Sequence, residues 1–204
     1  MFLDCLTIQP RNDTITVTKF IMQKKVLSEI DLYQGYVSMP ENFEINRKEI
    51  QMSIFSSYVK NDTISNNPLD YSSLDYKVPY TRAQGMLDTY LTEFFKVKHN
   101  KDLISKDCFG NLYVLGEQSI LRRLVEPLDL RNSADYTCIY GVDIERNSCN
   151  LIIEYDDNRR KNRTWAIPIR NNYFIMFPSI QRYFITKNRG GKINTILTTT
   201  YDFV

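Results

Sequence analysis

From residue 112 onward the chain is a succession of short β-branched and aromatic runs, each closed by a turn signal. LYVLG (112–116) ends on a glycine, and YTCIYGVDI (136–144) alternates. NLIIEYD (150–156), TWAIPI (164–169), YFIMF (173–177), RYFITK (182–187) and KINTILTTTYDFV (192–204) follow. Strands this short and this regularly spaced imply an antiparallel sandwich or jelly roll. The last run puts Ile193, Thr195, Leu197, Thr199, Tyr201 and Phe203 on one face. Asn194, Ile196, Thr198, Thr200, Asp202 and Val204 take the other,. Pro168 within its run favours an edge or a bulge there,.

The first half reads differently. TITVTKFIM (14–22) is β-branched and reads as a strand,. VLSEIDLYQGYVSMP looks like a short helix or turn ending near Gly35 to Pro40. Ile50, Ile54, Phe55 and Tyr58 are spaced for one face of a short helix around Lys48 to Tyr58,. Residues 60–80 are polar and turn-prone, a long loop with Tyr71, Tyr76 and Tyr80 as anchors,. The clearest helix is Thr81 to Lys98, where Met86, Leu87, Tyr90, Leu91, Phe94 and Phe95 form a broad apolar stripe,. Thr81 is its expected cap. The pattern predicts an α+β chain, mostly β with N-terminal helices, folded as one domain over 1–204. Within it, 1–100 packs on a jelly-roll core formed by 101–204, and the helix at 81–98 covers an outer sheet face.

Composition narrows the function by exclusion. The net charge is +2, from 26 basic and 24 acidic side chains. That lacks the basic excess of a phosphate-driven nucleic-acid binder. No apolar run is long enough to span a bilayer, and MFLDCLTIQPRNDT, with Asp4, does not read as a secretory leader,. Cys5, Cys108, Cys138 and Cys149 show no C-x-x-C spacing, so they read as reduced and mostly buried,. N-x-T triplets at Asn12, Asn61 and Asn162 matter only in a secreted chain,. His99 is the single histidine and reads as a solvated helix-end residue,. One imidazole cannot build a two-histidine iron site, and no G-x-S-x-G elbow accompanies it.

From about Ser119 onward the chain resembles the double-stranded β-helix of the iron(II)/2-oxoglutarate-dependent oxygenases, most closely the small phage-encoded members. RNSADYTCIYGVDI (131–144), NLIIEYDD (150–157), NYFIMFPS (172–179) and KINTILTTTYDF (192–203) carry the resemblance. The F-P-S turn is its most specific piece. The resemblance implies an H-x-D or H-x-H pair before the N-S turn, a distal histidine after F-P-S, and a basic residue opening the last strand. Leu128-Asp129-Leu130-Arg131 stands at the first position, Tyr183 near the second, and Lys192 at the third. Leucine and tyrosine in place of imidazole, with Asp129 alone, imply weak iron binding. The resemblance therefore implies a degenerate member: no enzyme, no catalytic or metal-binding residue and no cofactor.

Glu154, Asp156 and Asp157 run into Arg159, Arg160, Lys161 and Arg163 as a charged hairpin tip. It reads either as a solvated turn guarding a sheet edge or as a charged contact with a neighbouring subunit. Arg159, Arg160, Arg163 and the lone Trp165 are the candidate interaction residues. Asp129 and Arg131 read as turn polarity, and Arg189-Gly190-Gly191-Lys192 as a basic glycine turn. Fourteen Tyr and eleven Phe suit a chain that assembles with others,. The first functional reading is a structural component of a tailed-phage virion (neck, tail or baseplate), assembled in the host cytoplasm. Its partners would be other virion proteins in a symmetric multi-copy assembly, with no nucleic acid and no membrane. The second is an iron(II)/2-oxoglutarate-dependent hydroxylase with an atypical metal site. A sugar-binding jelly roll is a third.

Overall fold

The computed structural model describes residues 30–38, 44–64, 75–126, 128–156 and 163–204. The expected strand at 14–22, together with Cys5, Tyr71, Arg159 and Arg160, lies outside them. Helix α1 spans Arg47–Lys60, and Ile50 and Ile54 on its inner face are fully buried. Helix α2 spans Arg82–His99. Thr81 Oγ1 accepts the Gln84 N–H at 3.1 Å, so the expected cap forms,. The helix ends where Asn100 turns left-handed, with φ 52°,. Of its stripe, Leu87, Leu91 and Phe95 are fully buried, while Tyr90 and Phe94 are half-buried.

Among the described residues, nine strands form two sheets. β1 (Tyr33–Tyr36), β2 (Asp75–Lys77), β3 (Leu103–Tyr113), β4 (Tyr136–Asp143), β7 (Tyr173–Pro178) and β9 (Asn194–Phe203) form one sheet, in the order β1-β7-β4-β9-β3-β2. β5 (Asn150–Tyr155), β6 (Arg163–Pro168) and β8 (Arg182–Ile185) form a second, in the order β6-β5-β8. All pairings are antiparallel. Arg122 extends the small sheet by a bridge to Tyr183 on β8. Pro168 ends the edge strand β6, where its missing N–H costs no ladder bond,.

The large sheet is buried on both faces. Toward the helices, Tyr136, Cys138, Tyr140, Phe174, Met176, Leu197 and Tyr201 meet Ile50, Ile54, Leu87, Leu91 and Phe95. Toward the small sheet, Phe109, Ile139, Ile175, Phe177 and Ile196 meet Leu151, Ile153, Ile167, Tyr183 and Ile185. The alternation expected for the last strand thus separates two cores, with Leu197 and Tyr201 in one and Ile196 in the other. Gly110 lets α1 approach closely, since a Cβ there would lie 2.4 Å from Ile54 Cγ1,.

Three local expectations change. In the segment expected to be a short helix or turn, Tyr33–Tyr36 form a strand. Its exposure alternates with period two from Tyr33 to Tyr36, and it pairs with β7. The long loop is interrupted by β2, with Tyr76 buried but Tyr80 exposed. β3 begins at Leu103, well before the apolar run at 112. Its polar start is held by backbone pairing to β9, which side-chain periodicity does not report,.

Candidate functional site

The F-P-S turn sets the geometry of the barrel interior. Phe177 is buried between the sheets, and Ser179 hydrogen-bonds Thr137 at 2.8 Å. The turn closes with the Gln181 N–H donating to Pro178 O at 3.0 Å. It delivers Tyr183 onto β8 with its ring fully buried, edge-on to Phe177 at 5.2 Å. Across from Tyr183, Arg122 exchanges both backbone bonds with it, at 2.9 and 2.7 Å. Alternation then places Leu124, two residues on, in the same interior,. The stretch facing the distal position is therefore Arg122-Arg123-Leu124. The alignment to Leu128-Asp129-Leu130-Arg131 is corrected, because those residues lie on or beside an exposed 3₁₀ turn, Leu130–Asn132, whose cap is Asp129. Asp129 there accepts the Asn132 amide at 2.7 Å.

Arg122 carries the site's charge. Its guanidinium donates to Asp75 of β2, with side-chain exposures of 1% and 0%. Asn111 of β3 donates its amide to the other Asp75 oxygen, and Thr198 of β9 donates to Asn111 Oδ1 at 3.4 Å. The guanidinium carbon lies 5.3 Å from the Phe109 ring centre and 5.5 Å from that of Tyr183, within cation–π range,. Burial works against the Arg122 charge. The Asp75 carboxylate paired with it overcomes this and holds the group protonated above its ordinary range,. Burial pushes the phenols of Tyr113 and Tyr183 up, so both stay neutral donors. Among the described residues, Arg122 Nε and these two hydroxyls meet no geometric hydrogen-bond partner.

The other sequence candidates lie elsewhere. Lys192 is exposed in the turn before β9, where its N–H donates to Glu145 at 2.8 Å. The first buried side chain of β9 is the neutral Asn194, bonded to Ser148 and Cys149. His99 is exposed at the end of α2, against the Tyr33 ring at 4.6 Å. Cys138 and Cys149 are buried free thiols, and Cys108 is half-buried and free. Arg163 and Trp165 are exposed on the edge strand β6, with Trp165 at 48%. Sequence reasoning missed Arg122 and Asp75. The signal available was a dibasic Arg122-Arg123 inside the apolar run ILRRLV.

These residues do not fit a ferrous centre. Iron(II) of this class needs imidazole and carboxylate with open positions. Among the described residues the interior instead offers a guanidinium, a leucine, two phenols and a carboxylate already holding two donors. Among the described residues, no three His, Cys, Asp or Glu side chains gather as a metal site.

No family model matches the chain. No curated protein matches it. Solved structures do. A Pseudomonas putida prolyl-4-hydroxylase superposes with a TM-score of 0.56 at 10% identity, over 84% of this chain and 91% of that one. The α-ketoglutarate-dependent carbocyclase SnoK of nogalamycin biosynthesis gives 0.58 at 7% identity, over 83% and 78%. A Burkholderia pseudomallei oxidoreductase of the 2OG-Fe(II) oxygenase family is matched over 63% of either chain, at 10% identity and a TM-score of 0.48. Two expectations are corrected by the neighbours with a TM-score above 0.5. The reading of the chain as no enzyme is overturned, because the neighbours are enzymes and none speaks for inactivity. The virion, neck, tail and baseplate placement that accompanied it has no support among them. The chain has the double-stranded β-helix fold of the 2-oxoglutarate-dependent oxygenases, with helices on one outer face.

Proposed function

We propose that the chain is an enzyme of the 2-oxoglutarate oxygenase class with an atypical metal site, the second of the two main readings of the sequence. What supports this is shared architecture across nearly the whole length of a prolyl hydroxylase. Fold alone does not assign chemistry, so the reading stands on analogy of scaffold. The departures at Arg122, Leu124 and Tyr183 make the site atypical, and no reaction step is assigned to these three residues. The test is direct. The purified full chain is incubated with ferrous ion, ascorbate, oxygen and 2-oxoglutarate, and succinate is followed by NMR. Succinate released catalytically and abolished by chelator is the expected result. Its absence across a panel of peptide and small-molecule substrates overturns the reading.

A further inference from the structure

We infer that the barrel centre is closed to divalent cations by a built-in guanidinium–carboxylate pair, Arg122 with Asp75, standing where the fold would seat a metal. The inference concerns the proposed enzyme's own barrel, and it places any metal used by that chemistry away from this centre.

Three observations carry it. The first is position. Arg122 is main-chain bonded in both directions to Tyr183, the residue that the F-P-S turn delivers into the interior, so its side chain starts from the same level of the barrel. The second is charge. The pair is neutral in sum, and both partners are nine-tenths or more buried. A divalent ion seated beside it would face the guanidinium at short range in low dielectric, where like charges repel strongly. The third is ligand supply. Asp75 is the carboxylate of this network, and both its oxygens already accept, one from Arg122 and one from Asn111. The Tyr113 and Tyr183 phenols are held neutral by burial, and neutral phenol is a poor ligand,. The guanidinium also lies within cation–π range of the Phe109 and Tyr183 rings, contacts that a hydrated ion would have to displace.

The pair has a second consequence. Asp75 opens β2, an edge strand of three residues beside β3. The strand is therefore anchored to the barrel interior through its first side chain as well as by its short ladder.

The test uses Mn(II), whose paramagnetism erases NMR signals near it, and needs no turnover. In the ¹⁵N-labelled full chain, Arg122 should give a slowly exchanging side-chain N–H signal, assigned by its loss in Arg122→Lys. Asp75→Asn should shift that signal. With Mn(II) added, the signal is expected to keep its intensity. Any Mn(II) affinity measured by EPR should change by less than about twofold in Asp75→Asn or Tyr183→Phe, since neither residue is a ligand. Selective loss of the Arg122 signal at stoichiometric Mn(II) overturns the inference. So does a tenfold or greater loss of Mn(II) affinity, by order of magnitude, in either conservative variant. Failure to form succinate would sink the proposed activity and leave this result standing. Succinate formation with an unbroadened Arg122 signal would support both.

Discussion

The large sheet has two faces, and they solve burial in different ways. Its helix-side face is aromatic and aliphatic, with Leu87, Leu91, Phe95, Ile50 and Ile54 laid on Tyr136, Tyr140, Phe174 and Leu197. Its barrel-side face is apolar along the inner strands, with Ile139, Ile175, Phe177 and Ile196, and ionic beside the β2 edge, where Arg122 meets Asp75 and Asn111. The first face gains stability in proportion to area removed from water, about 25 cal/mol per Å² of apolar surface. The second depends on exact partnering, because each buried charge is costly without the other. The two faces should therefore respond to mutation by different rules.

The largest effect is expected in the barrel. Arg122→Met leaves Asp75 buried beside no guanidinium, and should cost about 3–5 kcal/mol in urea unfolding. Adding Asp75→Asn removes the stranded charge and keeps an acceptor for Asn111. The double variant should recover at least about half of that loss, because isosteric replacement of a buried pair is often near neutral. A double variant as unstable as the single would show that the pair is not the unit that matters.

On the helix side, Leu91→Ala should cost about 3 kcal/mol, the ordinary sum of transfer and cavity terms. The sharper measurement is additivity. Leu91 and Arg122 belong to different cores across one sheet, so their losses should add within about 0.5 kcal/mol. Strong coupling between them would mean that the sheet transmits strain from one face to the other, and the two-core description would fail.

The contrast also explains what could be read from residues alone. The helix-side core was legible because it is periodic. The stripe of α2, the Ile50 and Ile54 pair of α1 and the alternation of β9 all follow spacings of 3.6 or 2,. Most barrel strands were legible for the same reason, and the F-P-S turn located Tyr183. The ionic centre was not. Asp75 and Arg122 are 47 residues apart, one in a segment that reads as loop and the other in a run without a strand pattern. A pair of that separation leaves no local signature. The start of β3 was hidden likewise, because partner backbone and not side-chain pattern holds Leu103 to Ser105 in the sheet.

A smaller effect tests the helix-side layer at its edge. Thr81→Ala removes the acceptor for the Gln84 N–H and should cost about 1 kcal/mol,. Helix α2 would fray at its first turn, seen as faster amide exchange at Ala83 and Gln84 with little change in the barrel amides. Equal acceleration in both regions would show that the helix and the barrel open as one unit.

The smallest effect is a tilt with pH, and it marks Asp88, a carboxylate that α2 half-buries against the sheet. Asp88 accepts a hydrogen bond from the Tyr201 hydroxyl at 2.8 Å. Burial raises its pKa, and the Tyr201 bond only partly offsets that. The folded chain therefore holds the Asp88 proton to higher pH than the unfolded chain, whose aspartates titrate near about 3.9. Asp88 thus favours folding fully below the unfolded value, and this contribution is lost as pH rises through the folded value. Asp88→Asn keeps an acceptor for Tyr201 and abolishes the titration. The urea midpoint of the variant, relative to the parent, should be lowest at acid pH and should climb as the parent's Asp88 ionises. A difference that stays flat between pH 4 and pH 7, as rough bounds on that window, would mean that the Asp88 carboxylate is solvated and that the helix-side face buries no charge there.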